Sequence, residues 1–354
     1  MSDGKYLIDR DDAVLVTGSN GFIGVRVVET LLSYALGHIR CFVRPSSDLR
    51  ALRNVINSHA GAQIDIIEGN LLSPEDCQRA VKNVSLIYHL AAGRGEKSYP
   101  SAYMNSVVTT RNLLDACLKN KSLKRFVNVS SLTVYSNRSI EPGGLLDESC
   151  EIENQPVRRG EAYCYAKVRQ DELVLEYNRR NGIPCVFVRP GAVYGPGNKG
   201  LTGRVGIGTF GVFLHLGGSN VIPLTYVDNC AEAIVLAGVT KGIEGEAFNV
   251  VDDRLPRSRE FLKMYKRNVG YFRSFYVPKS ASYFLSYLWE RYSEWSHGQL
   301  PPVFNRERWS NDWKGNKYSN EKLKKLTGWR PRVPFEVASK RYFEFCKNAG
   351  AVNG

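Results

Sequence analysis

Three observations predict an α/β fold built on a doubly wound parallel sheet. Apolar runs of strand length alternate with segments of helical spacing through the first 190 residues, which favours parallel strands joined by crossover helices. The first of these runs, Ala13–Thr17, opens into a turn with glycines at 18, 21 and 24. A helical pattern through Val27, Val28, Leu31 and Leu32 follows at once. Strand, glycine turn and helix in that order are the context of a dinucleotide site, so the sheet is predicted to be of the Rossmann type.

Within the turn, Gly18 allows the tight reversal, Gly21 admits backbone N–H groups to a pyrophosphate, and Gly24 lets helix and strand pack closely. Asn20, Phe22 and Ile23 complete this cofactor loop, and the helix N-terminus turns its dipole toward the phosphates. His38–Val43 reads as a second strand that ends in Arg44, where the adenosine ribose is read. An acidic residue there suits a 2′-hydroxyl and an arginine suits a 2′-phosphate, so NADP(H) is expected ahead of NAD(H). Arg50 and Arg53 follow near the same corner.

Residues 64–71 form a third strand and turn, which brings Asn70 and Leu71 to the adenine. The run 86–92 is a fourth strand, whose Ala91 and Ala92 leave room for a cofactor crossing the strand end. His89 lies inside that apolar run and is expected as a satisfied core histidine rather than a catalyst. Residues 103–117 have helical spacing, and 125–131 form the fifth strand.

The chemistry follows. The fifth strand runs into Ser130 and Ser131, and about thirty residues later Tyr163 and Lys167 open a helix four positions apart, on one face. An ammonium beside a phenol favours the phenolate, which makes Tyr163 a candidate general acid/base for a carbonyl–alcohol pair. Ser131 is placed to hold the substrate oxygen, and Lys167 to reach the nicotinamide ribose as well as Tyr163.

With these residues in hand, the chain resembles the extended short-chain dehydrogenase/reductase family. The matching segments are 17–24, 90–92, 130–135, 163–167, 189–197, 226–229 and 328–331, in family order along almost the whole chain. The resemblance implies Ser131, Tyr163 and Lys167 as the catalytic set. It also implies a nicotinamide contact along Pro190, Gly191, Ala192 and Val193, and a homodimer. Departures narrow the branch. Leu132 and Thr133 stand where the family's dehydratases carry an Asp-Glu pair, Ala192 where its epimerases usually place an asparagine, and Ser106 where another asparagine is common. The segments 41–45 and 189–194 look nearer the reductases and the 3β-hydroxysteroid-dehydrogenase-like branch.

Domains are expected at 11–190 with 226–254 for NAD(P), and at 191–225 with 255–354 for the smaller C-terminal α/β substrate lobe. Arg94, Thr133, Arg204 and Tyr226 are assigned to substrate, and no metal site is expected, because the five histidines and eight cysteines form no ligand cluster. The cysteines lie mostly in apolar stretches and read as free thiols in a reducing cytoplasm. Residues 1–10 are too polar for a signal peptide or anchor.

The net charge of +13 is uneven: residues 255–354 hold 20 Lys/Arg against 8 Asp/Glu, together with all five tryptophans. No nucleic-acid module is recognisable there. The aromatic helix at 280–295 is expected to be core or pocket wall, and peripheral membrane contact is the alternative. The leading function is an NADP(H)-dependent oxidoreductase interconverting a ketone and a secondary alcohol on a small apolar or mixed substrate. The alternatives are a nucleotide-sugar epimerase that retains NAD and a non-catalytic dinucleotide-sensing protein.

Overall fold

In the computed structural model, which describes residues 6–35, 37–59, 61–93, 95, 98–209, 211–296, 299 and 304–351, the apolar runs become strands of one sheet. Strands β1 (Ala13–Thr17), β2 (His38–Val43), β3 (Ile64–Glu68), β4 (Val84–His89) and β5 (Arg125–Val129) alternate with helices α1 (Phe22–Ser33), α2 (Arg50–Asn57), α3 (Pro74–Val81), α4 (Tyr99–Tyr103) and α5 (Thr109–Cys117). Then come β6 (Leu145–Leu146), α6 (Ala162–Asn181), β7 (Cys185–Pro190), β8 (Ala192–Tyr194), β9 (Gly206–Thr209), β10 (Val212–His215), β11 (Leu224–Tyr226), α7 (Val227–Val239) and β12 (Ala247–Val250). The C-terminal part holds α8 (Ser258–Asn268), β13 (Ser274–Tyr276), α9 (Lys279–Trp295), α10 (Arg306–Trp313), β14 (Lys317–Tyr318), α11 (Glu321–Thr327) and α12 (Phe335–Ala351).

Seven strands pair in parallel in the order β12-β7-β5-β4-β1-β2-β3. The order reverses at β1, which has β2 on one side and β4 on the other, and this opens a crevice outside the strands' carboxyl ends. Both faces are covered. Val14 and Val16 pack with Val27, Val28 and Leu31 of α1 and Ile234 and Val235 of α7. Ala13 and Leu15 pack with Leu113 and Leu114 of α5 and Leu173 and Val174 of α6. A strand buried on both faces carries no polar alternation, which explains the continuous apolar reading of β1. The second lobe has its own aromatic core, in which Tyr194, Phe261, Tyr342 and Phe343 meet. All eight cysteines are free thiols, seven of them buried.

The stretch 103–117 is helical throughout, with a π-helical turn, Met104–Val108, joining α4 to α5. The widened turn buries Ser106, whose Oγ accepts from the Gly93 N–H at 3.0 Å. One expectation is corrected: helix α9 is not an aromatic core helix. It buries Ser282, Ser286 and Ser293 and exposes its aromatics, with Trp295 74% and Phe284 57% accessible. Trp309 of α10 explains the reversal, since its indole N–H donates to Ser282 Oγ at 2.8 Å and takes α10 onto the serine stripe.

The seam between α7 and β4 has no spare volume. A Cβ on Gly238 would lie 2.1 Å from the Tyr88 hydroxyl, which itself donates to the Val235 carbonyl at 2.8 Å. Gly238→Ala is therefore expected to cost about 1–3 kcal/mol by overpacking, read as a lower urea midpoint at unchanged slope.

Candidate active site

The loops that leave the carboxyl ends of the central strands enclose one cleft of about 990 Å³. After β1, the glycine turn is held by close backbone approach. A Cβ on Gly24 would stand 2.0 Å from the Gly18 carbonyl oxygen, and one on Gly21 would stand 3.1 Å from the same oxygen. Gly18 itself has φ +69°, and a Cβ there would meet the Ala91 nitrogen at 3.1 Å. This cradle leaves backbone N–H groups at the start of α1 facing the cleft, as a dinucleotide phosphate requires. The remaining positions assigned to the cofactor also line the cleft: Asn20, Phe22 and Ile23 after β1, Arg44 after β2, Asn70 and Leu71 after β3, and Ala91 and Ala92 after β4. Tyr163 and Lys167 on α6 and residues 190–193 after β7 complete it.

Arg44 is exposed at the cleft edge and takes no ion-pair partner among the described residues. Arg50 is instead engaged by Asp48, at 2.6 Å.

Ser131 caps the short helical turn Leu132–Val134, its Oγ accepting from the Thr133 N–H at 3.3 Å, and it also lines the cleft. Lys167, one helical turn beyond Tyr163, is buried. Its Nζ donates to the Val129 carbonyl and to Gln170 Oε1, both at 2.8 Å. An ammonium has three protons, so one remains for the cleft. Burial pushes the Lys167 ammonium down to about 8, with Asp171 opposing. Asp171 in turn meets Arg189 at 3.2 Å and accepts from Asn128 Nδ2 at 2.8 Å, which fixes α6 against the sheet.

Gln170 continues the contacts of Lys167 inward. Its Nε2 donates to Thr110 Oγ1 at 2.8 Å, and Thr110 Oγ1 donates to the Ser106 carbonyl at 2.5 Å. With that proton used, Thr110 can only accept from His89 Nε2, 2.8 Å away. His89 Nδ1 is then an acceptor for the Thr17 hydroxyl at 2.8 Å, and Thr17 Oγ1 accepts from the Ala91 N–H at 3.3 Å. One tautomer satisfies every link. Burial, with Lys167 adding, pushes His89 down to about 3, so the ring is neutral.

Other sequence assignments fall elsewhere. Arg204 does not line the cleft, because its Nη1 donates to the Asn311 carbonyl at 2.8 Å and to Tyr318 Oη at 3.2 Å. Thr133 is packed against Arg159, and Tyr226 lies edge-on to Tyr194 at 5.6 Å in the second lobe's core. Arg94 lies outside the described residues. Missed by sequence reasoning were Leu201, Phe261 and Tyr342, which line the cleft from the second lobe, and Gln170. Gln170 stands three residues after Lys167 on the same helix face, a spacing that could have revealed it. Phe261 and Tyr342 come from remote segments and carry no local signal.

Two outcomes are expected. Gly24→Ala should abolish dinucleotide binding, read by nucleotide fluorescence titration, because its Cβ overlaps backbone rather than a movable side chain. For His89, the unfolded ring takes up its proton near pH 6.5 while the folded ring resists to about 3, so stability falls as pH drops between these values. In His89→Asn the loss per pH unit between about 6 and 4 should be smaller by up to about 1.4 kcal/mol, read from urea melts.

Known proteins share this architecture. A sequence model of the NAD dependent epimerase/dehydratase family matches residues 14–250. A 3beta-hydroxysteroid-dehydrogenase/decarboxylase (isoform 1) of Arabidopsis thaliana is 25% identical, over 96% of this chain and 80% of its own. A decarboxylating sterol-4-alpha-carboxylate 3-dehydrogenase of Mus musculus is 24% identical, over 92% and 88%. Among solved structures, UDP-glucuronic acid 4-epimerase from Bacillus cereus, in complex with NAD, superposes with a TM-score of 0.71 at 20% identity, covering 95% of this chain and 99% of that one. With the family match spanning the glycine turn, the strand-end serines and the Tyr163–Lys167 helix, the chain belongs to the NAD dependent epimerase/dehydratase family.

Proposed function

We propose that the protein is an NADP(H)-dependent oxidoreductase that interconverts a ketone and a secondary alcohol on an apolar or mixed substrate. The observation that carries this reading is the convergence of Ser131, Tyr163 and Lys167 on one cleft with the glycine cradle. The glycine turn and residues 190–193 would hold a nicotinamide dinucleotide, which would supply the two-electron hydride exchange with the substrate carbon. Ser131 Oγ holds the substrate oxygen by a hydrogen bond. Tyr163 accepts the hydroxyl proton in oxidation and returns it in reduction. Its place in the first turn of α6 and the Lys167 ammonium one turn on both favour the phenolate.

The exposed guanidinium of Arg44, which has no ion-pair partner among the described residues, supports the phosphorylated dinucleotide. Phe22, Leu201, Leu224, Phe261 and Tyr342 give the cleft an apolar wall, in keeping with relatives named for steroid and sterol alcohols. Ala192, where epimerases of the family usually carry asparagine, offers no amide to a sugar nucleotide. Arg204 is also spent within the protein rather than free for a diphosphate.

Tyr163→Phe should lose at least about a thousandfold in turnover while binding NADPH as the parent does. Retained turnover would overturn the assignment. Arg44→Ala should weaken NADPH about tenfold or more and leave NADH unchanged, in parallel titrations. Nucleotide released on denaturation and identified as NAD, with no response to added NADPH, would favour the epimerase instead. Because burial sets Lys167 near 8, turnover should decline as pH rises above that value. Gln170→Leu, which removes an acceptor from the ammonium, should move the decline to lower pH.

A further inference from the structure

Helix α9 presents an unusual surface. The stripe it turns inward is Ser282, Ser286 and Ser293, while Phe284, Leu285, Leu288, Tyr292 and Trp295 are all exposed, at 57, 48, 45, 48 and 74%. The ionic groups on its exposed side, Arg291 and Glu294, neutralise each other at 2.8 Å. A contiguous apolar face of this size is an interaction surface rather than ordinary scatter.

The chain leading into α9 is strongly basic. Between residues 257 and 279 there are seven Lys/Arg and one acidic residue, Glu260. Arg259, Lys263, Arg267 and Arg273 are exposed. The basic groups are interleaved with aromatic ones. The Arg259 guanidinium lies over the ring of Tyr276, 5.3 Å away, and Lys266 Nζ stands 5.1 Å from the ring of Tyr271, which is 82% exposed. Exposed tyrosine and tryptophan together with exposed basic side chains match the chemistry of an anionic bilayer surface, where aromatic side chains seat at headgroup depth and basic ones meet lipid phosphate. No helix among the described residues is long and apolar enough to cross a membrane, so contact of this kind would lie in the plane of the surface.

We infer that α9 and the basic segment before it form a docking surface for an anionic lipid bilayer, with the axis of α9 parallel to the membrane. Helix α8 links the two functions of the second lobe: Phe261 on it lines the cleft while Lys263 and Arg267 on it face outward. Docking does not depend on the reaction proposed above, and the two are tested separately.

The test is co-sedimentation of the full chain with vesicles of phosphatidylcholine alone or with roughly 30% phosphatidylglycerol. Binding is expected to the anionic vesicles, and to fall about tenfold or more when salt is raised to about 0.5 M. Phe284→Ser/Leu288→Ser/Trp295→Ser should lose binding at an unchanged melting temperature, and Lys263→Glu/Arg267→Glu should lose it without touching the aromatic face. NADPH titration of each variant should match the parent, which separates a docking failure from a cofactor-site failure. Absence of binding to anionic vesicles at low salt would overturn the inference. So would binding that survives both variants, or a stable self-association in ultracentrifugation that the serine variant abolishes, which would make α9 a contact between copies of this chain.

Discussion

Thr17 and His89 are register partners on neighbouring strands β1 and β4, and the hydrogen bond between them ties the two ends of the cleft together. On one side, Thr17 holds the Ala91 N–H and with it the turn that Gly18 approaches. On the other, His89 reaches Thr110, Gln170 and finally the ammonium of Lys167. Every side chain in it is buried, where an unmet donor or acceptor costs far more than at the surface, so the chain of bonds fixes one geometry instead of several. The glycine cradle and α6 are thereby tied to each other by polar groups, while the apolar layers around them set the packing of sheet and helices.

The central sheet was legible because strands covered on both faces read as unbroken apolar runs and because the close turn at Gly18–Gly24 admits only glycine. The cleft positions at the strand ends were legible for a related reason: in a doubly wound sheet they follow directly from where each strand ends, whereas Phe261 and Tyr342, which reach the cleft from remote segments, were not. Contacts that depend on register were not. Nothing local in the sequence says that Thr17 stands opposite His89, or that Gln170 joins Lys167 to Thr110. Arg204 illustrates the opposite error. An arginine in a glycine-rich stretch looks available for an anion, yet the carbonyl of Asn311 and the hydroxyl of Tyr318, more than a hundred residues away, take it up.

Helix α9 shows why periodicity gives a face but not its direction. The serines and the aromatics both recur at helical spacing, and hydrophobicity alone would turn the aromatics inward. Here the small residues admit α10, and the Trp309 indole N–H bonded to Ser282 and the Arg306–Glu290 ion pair fix the approach. The aromatic face is left outside by a packing choice that the sequence of α9 does not contain.

Lys167 combines two opposed demands. Removing the ammonium from water favours its neutral form, which is why its affinity for a proton falls to about 8. The Asp171 carboxylate opposes that fall, while the carbonyl of Val129 and the amide oxygen of Gln170 accept from the ammonium. The same low-dielectric surroundings that weaken the proton's hold strengthen the field of the cation when it is present, since the attraction between charges grows as water is excluded. A lysine held near this balance stays charged at neutral pH, and in the proposed mechanism its field would bear on the phenol one helical turn away. A fully solvated lysine would keep its proton more firmly and influence Tyr163 less. Burial and the Asp171 carboxylate therefore act on Lys167 in opposite senses, and α6 carries both residues.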